Sequence, residues 1–88
     1  MARNVAFDPL AWEEFAWWQT KDGKTQKKIF ELIKDIQRNP FEGLGKPEPL
    51  KYNNQGYWSR RIDKVNRLVY KVTDETVIII SCKHHYDA

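Results

Sequence analysis

The spacing of apolar residues divides the chain into a helical front and a β-rich rear. Ile29, Leu32, Ile33 and Ile36 follow i, i+3, i+4, i+7, which predicts an amphipathic helix from about Thr25 to Arg38. Ahead of it, Ala11, Phe15 and Trp18 form a second helical stripe, widened by Trp12 and Trp17 and read as core. Asp8-Pro9 starts that first helix, with Asp8 as N-cap and Pro9 where a missing N–H costs nothing. Glu13 and Glu14 lie early in it, at the favourable end of the dipole. Lys21-Asp22-Gly23 and Asn39-Pro40 are the two stops. Lys27, Glu31, Lys34 and Arg38 share another face of the second helix, a solvated one on which Glu31 can pair with either lysine.

Past Gly56 the pattern changes to aromatic and β-branched runs. Tyr57–Ile62, Arg67–Val72 and Thr76–Cys82 read as strands, separated at hairpin lengths by Asp63–Asn66 and Thr73–Glu75. Val77-Ile78-Ile79-Ile80 is apolar on both faces and is expected to be the most buried strand. Val5 and Phe7 bracket a short edge strand that joins this antiparallel meander. Asn53-Asn54-Gln55-Gly56 reads as a turn, and Pro40 to Asn54 as a loop long enough to be functional or partly strand. The expected class is α+β: two N-terminal helices packed on a small antiparallel β-sheet, in one domain over 1–88.

Composition narrows the setting. No run approaches transmembrane length, and the N-terminus lacks the apolar stretch and small-residue site of a secretory leader. The lone cysteine, Cys82, allows no internal disulfide and fits a reducing cytoplasm. Charge is uneven. Residues 1–45 carry seven Lys/Arg and seven Asp/Glu, whereas 46–88 carry eight and five, which is the whole net +3. The rear half is therefore the basic face, suited to nucleic acid, anionic lipid or an acidic protein, or simply to water.

One carboxylate stands out in that basic half. Glu48 sits between Pro47 and Pro49, whose fixed φ angles make a stiff extended segment. Lys46 and Lys51 flank it, and Arg60, Arg61 and Arg67 follow. His84 and His85 point to opposite faces of an extended chain and cannot share one ion, and Cys82 has no second thiol at ligand spacing, so no metal site is expected. Glutamate, histidine and arginine are the set a metal-free ribonuclease needs: a base for the 2′-OH, an acid for the departing 5′-oxygen, and paired donors for phosphate. Hairpin pairing of Arg61 with Arg67 puts both on one face. A slip of one residue puts Arg60 there instead, and spacing alone does not choose. Taken singly, each residue also has an ordinary reading: Glu48 paired with Lys46 or Lys51, the arginines as edge charges, the histidines merely exposed.

Lys-Pro-Glu-Pro-Leu-Lys at 46–51, Gly-x-Trp-Ser-Arg-Arg-Ile at 56–62, Arg-Leu-Val-Tyr at 67–70 and the closing His85-Tyr86 resemble the YoeB/Txe branch of the RelE/ParE toxin superfamily. Pro40–Gly43 and Glu31–Asp35 share the likeness, which covers nearly the whole chain. The resemblance implies a RelE-like microbial RNase fold and a toxin of a bacterial toxin–antitoxin pair. It implies cleavage of mRNA in the A site of the 70S ribosome without metal or cofactor, leaving a 2′,3′-cyclic phosphate and a 5′-OH. By motif, Glu48 falls on the general base, His85 on the general acid and Arg67 on the transition-state stabiliser. Lys51 and Arg61 match supporting cations, with Lys46 beside them, and Tyr86 matches a residue that seats substrate; Arg61 is thereby preferred over Arg60. A YefM/Axe-like antitoxin and a homodimer are the implied partners, with no membrane. Two departures stand out: the chain continues past His85-Tyr86 to Asp87-Ala88, and Tyr52 replaces a customary histidine. The competing functions are a non-catalytic RNA- or antitoxin-binding protein and a ParE-like gyrase inhibitor.

Overall fold

The computed structural model describes residues 2–50 and 56–84. In chain order the elements are β1 (Asn4–Phe7), α1 (Pro9–Lys21), α2 (Gly23–Arg38), β2 (Glu48–Pro49), β3 (Tyr57–Arg61), β4 (Arg67–Val72) and β5 (Thr76–Ser81). The strands form one sheet in the order β1-β5-β4-β3-β2. Every pairing is antiparallel except β1 with β5, which is parallel. This is the expected α+β class, and the N-terminal strand occupies an edge as expected.

Local chemistry explains the helix ends. Pro9 takes the first position of α1, but the Asp8 side chain makes no cap bond. Asp8 instead continues the sheet, its N–H donating to Ile79 O at 2.9 Å. Asp22 is the effective cap. Its carboxylate accepts from the N–H groups of Lys24 and Thr25 at 3.2 and 3.4 Å and from Thr25 Oγ1 at 2.8 Å. The α2 helix therefore begins at Gly23, two residues ahead of the sequence expectation. Ile29, Leu32, Ile33 and Ile36 are buried as their spacing predicts.

Three expectations need correction. Trp12 and Trp17 do not widen the core stripe of α1, being 59% and 38% exposed. They flank the buried Ala11–Trp18 line: Trp12 meets Phe7 edge-on at 5.4 Å, and Lys83 Nζ lies 3.9 Å from the Trp17 ring centre. The most buried strand is β4 rather than β5. Leu68, Val69 and Tyr70 are wholly buried, whereas Ile78 and Ile80 are only half-buried. The reason is position: β4 lies mid-sheet, and the helices cover only the face that carries Leu68, Tyr70, Val77 and Ile79. Glu31 forms no ion pair with Lys27 or Lys34; the pairs among the described residues are Arg38–Asp35 and Arg60–Asp35.

One irregularity redirects the chain end. Tyr70 pairs with Ile79, but Val69 pairs with Ser81, so Ile80 is an extra residue on β5. The bulge reverses the alternation after it, and Cys82 returns to the core beneath α1.

Candidate functional site

The neighbouring arginines of β3 have separate fates. The register pairs Arg60 with Leu68 and Arg61 with Arg67. Arg60 thus points to the helical face and is 0% exposed. All five of its N–H donors have acceptors. Nε donates to Tyr70 Oη at 3.2 Å, Nη1 to Asp35 Oδ2 and to Leu44 O at 2.9 Å, and Nη2 to Asn39 O and Glu42 O at 2.7 and 3.1 Å. Tyr70 Oη in turn donates to Pro40 O at 2.7 Å. Arg60 is a buried clasp for the 39–44 loop, not a cation offered to substrate. Burial pushes the Asp35 carboxyl up, but hydrogen bonds from Arg60 and the Leu44 N–H, with the guanidinium charge, outweigh it and hold the group below its usual range. Burial pushes the Tyr70 hydroxyl up against the opposing Arg60.

This clasp leads directly to Glu48. Gly43 has φ +128, and a Cβ there would run into the Asp35 carboxylate. Gly45 has φ +79, and its carbonyl accepts from the Arg61 N–H at 2.7 Å. Lys46, at φ 52, completes the sharp turn before the extended Pro47–Pro49 stretch. Glu48 then pairs with Ser59 as the edge strand β2. By alternation Glu48, Ser59, Arg61 and Arg67 lie on one face of the sheet, the face away from the helices. Glu48 and Arg61 are diagonal neighbours there, about 7–8 Å apart at Cα. Glu48 is exposed and forms no ion pair with Lys46.

Beside this face a cleft of about 710 Å³ opens between α2, the 44–46 turn and the β3–β4 hairpin. Five cations line it, Lys28, Lys46, Arg61, Lys64 and Arg67, against Glu31 and Asp63. Such a lining favours a polyanion. Glu48 is not among the lining residues; it flanks the cleft from the next strand. Arg67 Nη1 donates to the carbonyls of Asp63 and Asn66 at 3.0 and 3.3 Å. Its Nε and Nη2 make no hydrogen bond among the described residues.

The structure therefore brings Lys46, Arg61 and Arg67 together, sets Glu48 alongside, and removes Arg60. Lys51, Tyr52, His85 and Tyr86, with Asp87 and Ala88, lie outside the described residues. His84 is exposed, with φ 71. Sequence reasoning missed Lys28 and Lys64. The helical stripe did place Lys28 one turn before Leu32, but nothing in the sequence reveals which loop faces it. Among the described residues no group of three His, Cys, Asp or Glu converges, and no helix is long and apolar enough to cross a membrane.

Two helices on a five-stranded sheet is the fold of YafQ in the DinJ–YafQ toxin–antitoxin complex of E. coli. That chain is 20% identical, with a TM-score of 0.82 over 97% of this chain and 94% of its own, a likeness of fold alone. The model of the YoeB-like toxin of bacterial type II toxin–antitoxin systems matches residues 7–86. A toxin YoeB from Synechocystis is 54% identical over 83 residues, covering 94% of this chain and 96% of the relative. The YoeB dimer from Staphylococcus aureus is 50% identical, with a TM-score of 0.89 over 98% of this chain and 100% of that one. The same S. aureus toxin in a heterotetrameric YoeB–YefM complex superposes with a TM-score of 0.84 at the same coverage. The chain belongs to the YoeB family of toxins of type II toxin–antitoxin systems.

Proposed function

We propose that this toxin is a ribosome-dependent endoribonuclease that cuts mRNA in the A site by attack of the RNA's own 2′-OH. The observation that supports this reading best is the β3–β4 register. It sets Arg61 opposite Arg67 on the face that carries Glu48, while Arg60 is consumed in the fold.

Glu48 takes the 2′-OH proton as the 2′-oxygen attacks the adjacent phosphorus. Arg67, through the donors its hairpin leaves open, stabilises the charge that grows on the phosphorane oxygens. His85 gives a proton to the 5′-oxygen as the P–O5′ bond breaks. The products are a 2′,3′-cyclic phosphate and a 5′-OH, and no water is consumed. Lys46, Lys51 and Arg61 hold flanking phosphates, Tyr86 seats a base, and the cleft with Lys28 and Lys64 continues the cationic track. No metal or cofactor takes a step. A YefM-like antitoxin and a second copy of the chain are the proposed partners, after the S. aureus complexes.

The test is cleavage of a reporter mRNA on translating ribosomes by wild type and His85→Gln. Wild type is expected to cut within the A-site codon and the variant to be slower by at least about 100-fold, the usual scale of acid–base catalysis. Equal cutting by both removes His85 from the mechanism. Growth arrest without cleavage, retained in Glu48→Ala/Arg67→Ala, replaces the enzyme with a binding protein.

A further inference from the structure

The stretch that leads to His85 is fastened at two points. Beyond the Ile80 bulge, the Cys82 N–H donates to Glu14 Oε1 at 2.8 Å and Trp18 Nε1 donates to Cys82 O at 2.9 Å. Two residues on, His84 is held by the β3–β4 turn. Its carbonyl accepts from the Arg67 N–H at 3.1 Å, and its N–H donates to Asn66 Oδ1 at 2.6 Å. His84 has φ 71, in the left-handed region that few non-glycine residues occupy.

Asn66 is itself oriented for this contact. Its Nδ2 faces both carboxylate oxygens of Asp63, at 3.2 and 3.0 Å, which directs Oδ1 toward the His84 N–H. Asp63 Oδ1 also accepts from the Val65 and Asn66 N–H groups at 2.8 and 2.6 Å. Burial pushes the Asp63 carboxyl up, but these bonds more than offset it and keep the group anionic. The backbone of the same turn takes Arg67 Nη1. A four-residue turn thus holds both the Arg67 guanidinium and the backbone immediately before His85.

We propose that Asn66 is a positioning residue for the cleavage reaction: its side-chain amide fixes the His84 backbone and so places His85 relative to Arg67. The proposal rests on the reading of His85 as general acid. Asn66 lies outside the hydrophobic core cluster, so its loss loosens the tail without removing core packing.

The test uses full-length toxin on 70S ribosomes programmed with either of two short mRNAs. One is ordinary; the other has sulfur bridging the scissile 5′ position, so its leaving group departs without an acid. On ordinary mRNA, Asn66→Ala is expected to lower the single-turnover rate about 10- to 100-fold, the scale set by misplacing a reacting group, with unchanged half-saturation by ribosomes. On the sulfur-bridged mRNA it recovers to near the wild-type rate, as His85→Gln does, whereas Glu48→Ala does not. Asn66→Asp, which loses the Nδ2 donor and sets a second carboxylate against Asp63, is slowed on ordinary mRNA as Asn66→Ala is and recovers likewise on the sulfur-bridged one. A wild-type rate for Asn66→Ala on ordinary mRNA, or equal slowing on both mRNAs, overturns the positioning role while a slow His85→Gln leaves the acid assignment standing. A wild-type rate for His85→Gln overturns that assignment and this proposal with it.

Discussion

Arg60 and Arg61 are adjacent, chemically identical and opposite in use. Arg60 turns toward the helices, where five acceptors take its donors and no water reaches it. Arg61 turns the other way, is exposed, and lines the basic cleft with Arg67. The difference is one step of strand alternation. A basic residue's value to a polyanion site is therefore decided by register before charge. Of the cations that the sequence singles out around Glu48, the fold removes one, Arg60, and it adds two that were not singled out, Lys28 from α2 and Lys64 from the hairpin.

Substitution separates the two most sharply. Arg60→Met takes the guanidinium donor from three loop carbonyls and from the Asp35 carboxylate, which keeps only the Leu44 N–H and the outlying Arg38. Urea unfolding is expected to show a loss of about 3–5 kcal/mol, the cost of breaking a buried pair. Arg61→Met is expected to stay within about 0.5 kcal/mol of wild type, as exposed substitutions do, while mRNA cleavage falls. Equal destabilisation by both changes would erase the distinction. Gly43→Ala attacks the same clasp from the loop side. The new Cβ displaces the Asp35 carboxylate, with an expected loss of about 1–3 kcal/mol in the same measurement.

Acid should weaken the clasp in a defined direction. The Asp35 carboxyl is lowered in the folded protein from its ordinary 3.8. A lowered carboxyl contributes stability above its unfolded value, and that contribution is lost as pH falls through the folded value. Asp22 and Asp63 are lowered too and act in the same sense. The urea midpoint is therefore expected to drop below about pH 4, and less steeply in Asp35→Asn. A parallel acid slope in that variant would take Asp35 out of the linkage. The smallest expected effect concerns Cys82, whose thiol is pushed up to about 12 by burial and by the nearby Glu14 charge. It should resist a thiol-alkylating reagent at pH 8 in the native protein and react once urea unfolds the chain.

Much of the scaffold was legible because its signals are local. The α2 stripe needs only helical period, the three long strands only alternation and turn residues, and the rigidity of Glu48 only its two prolines. The likeness of short motifs carried the family. What remained hidden depends on contacts distant in sequence. The partners of Arg60 come from α2 and the 39–44 loop, and no periodicity in β3 announces them. Trp12 and Trp17 share the helical spacing of core residues, yet the sheet stops short of covering them. The Ile80 bulge returns Cys82 to the core, and Asn66 looks like an ordinary turn residue until the chain end is laid beside it.

The central claim is that Glu48 and Arg67, fixed on one sheet face, serve RNA cleavage rather than RNA binding. The most direct measurement maps cleavage of a defined mRNA on purified ribosomes and identifies the chemistry of the new ends, for wild type, Glu48→Ala and Arg67→Ala. The account predicts a cut inside the A-site codon, a 2′,3′-cyclic phosphate on the upstream fragment, a 5′-OH on the downstream one, and loss of all three in both variants. Cleavage at wild-type rate by either variant, or upstream fragments ending in a 3′-OH, would contradict it.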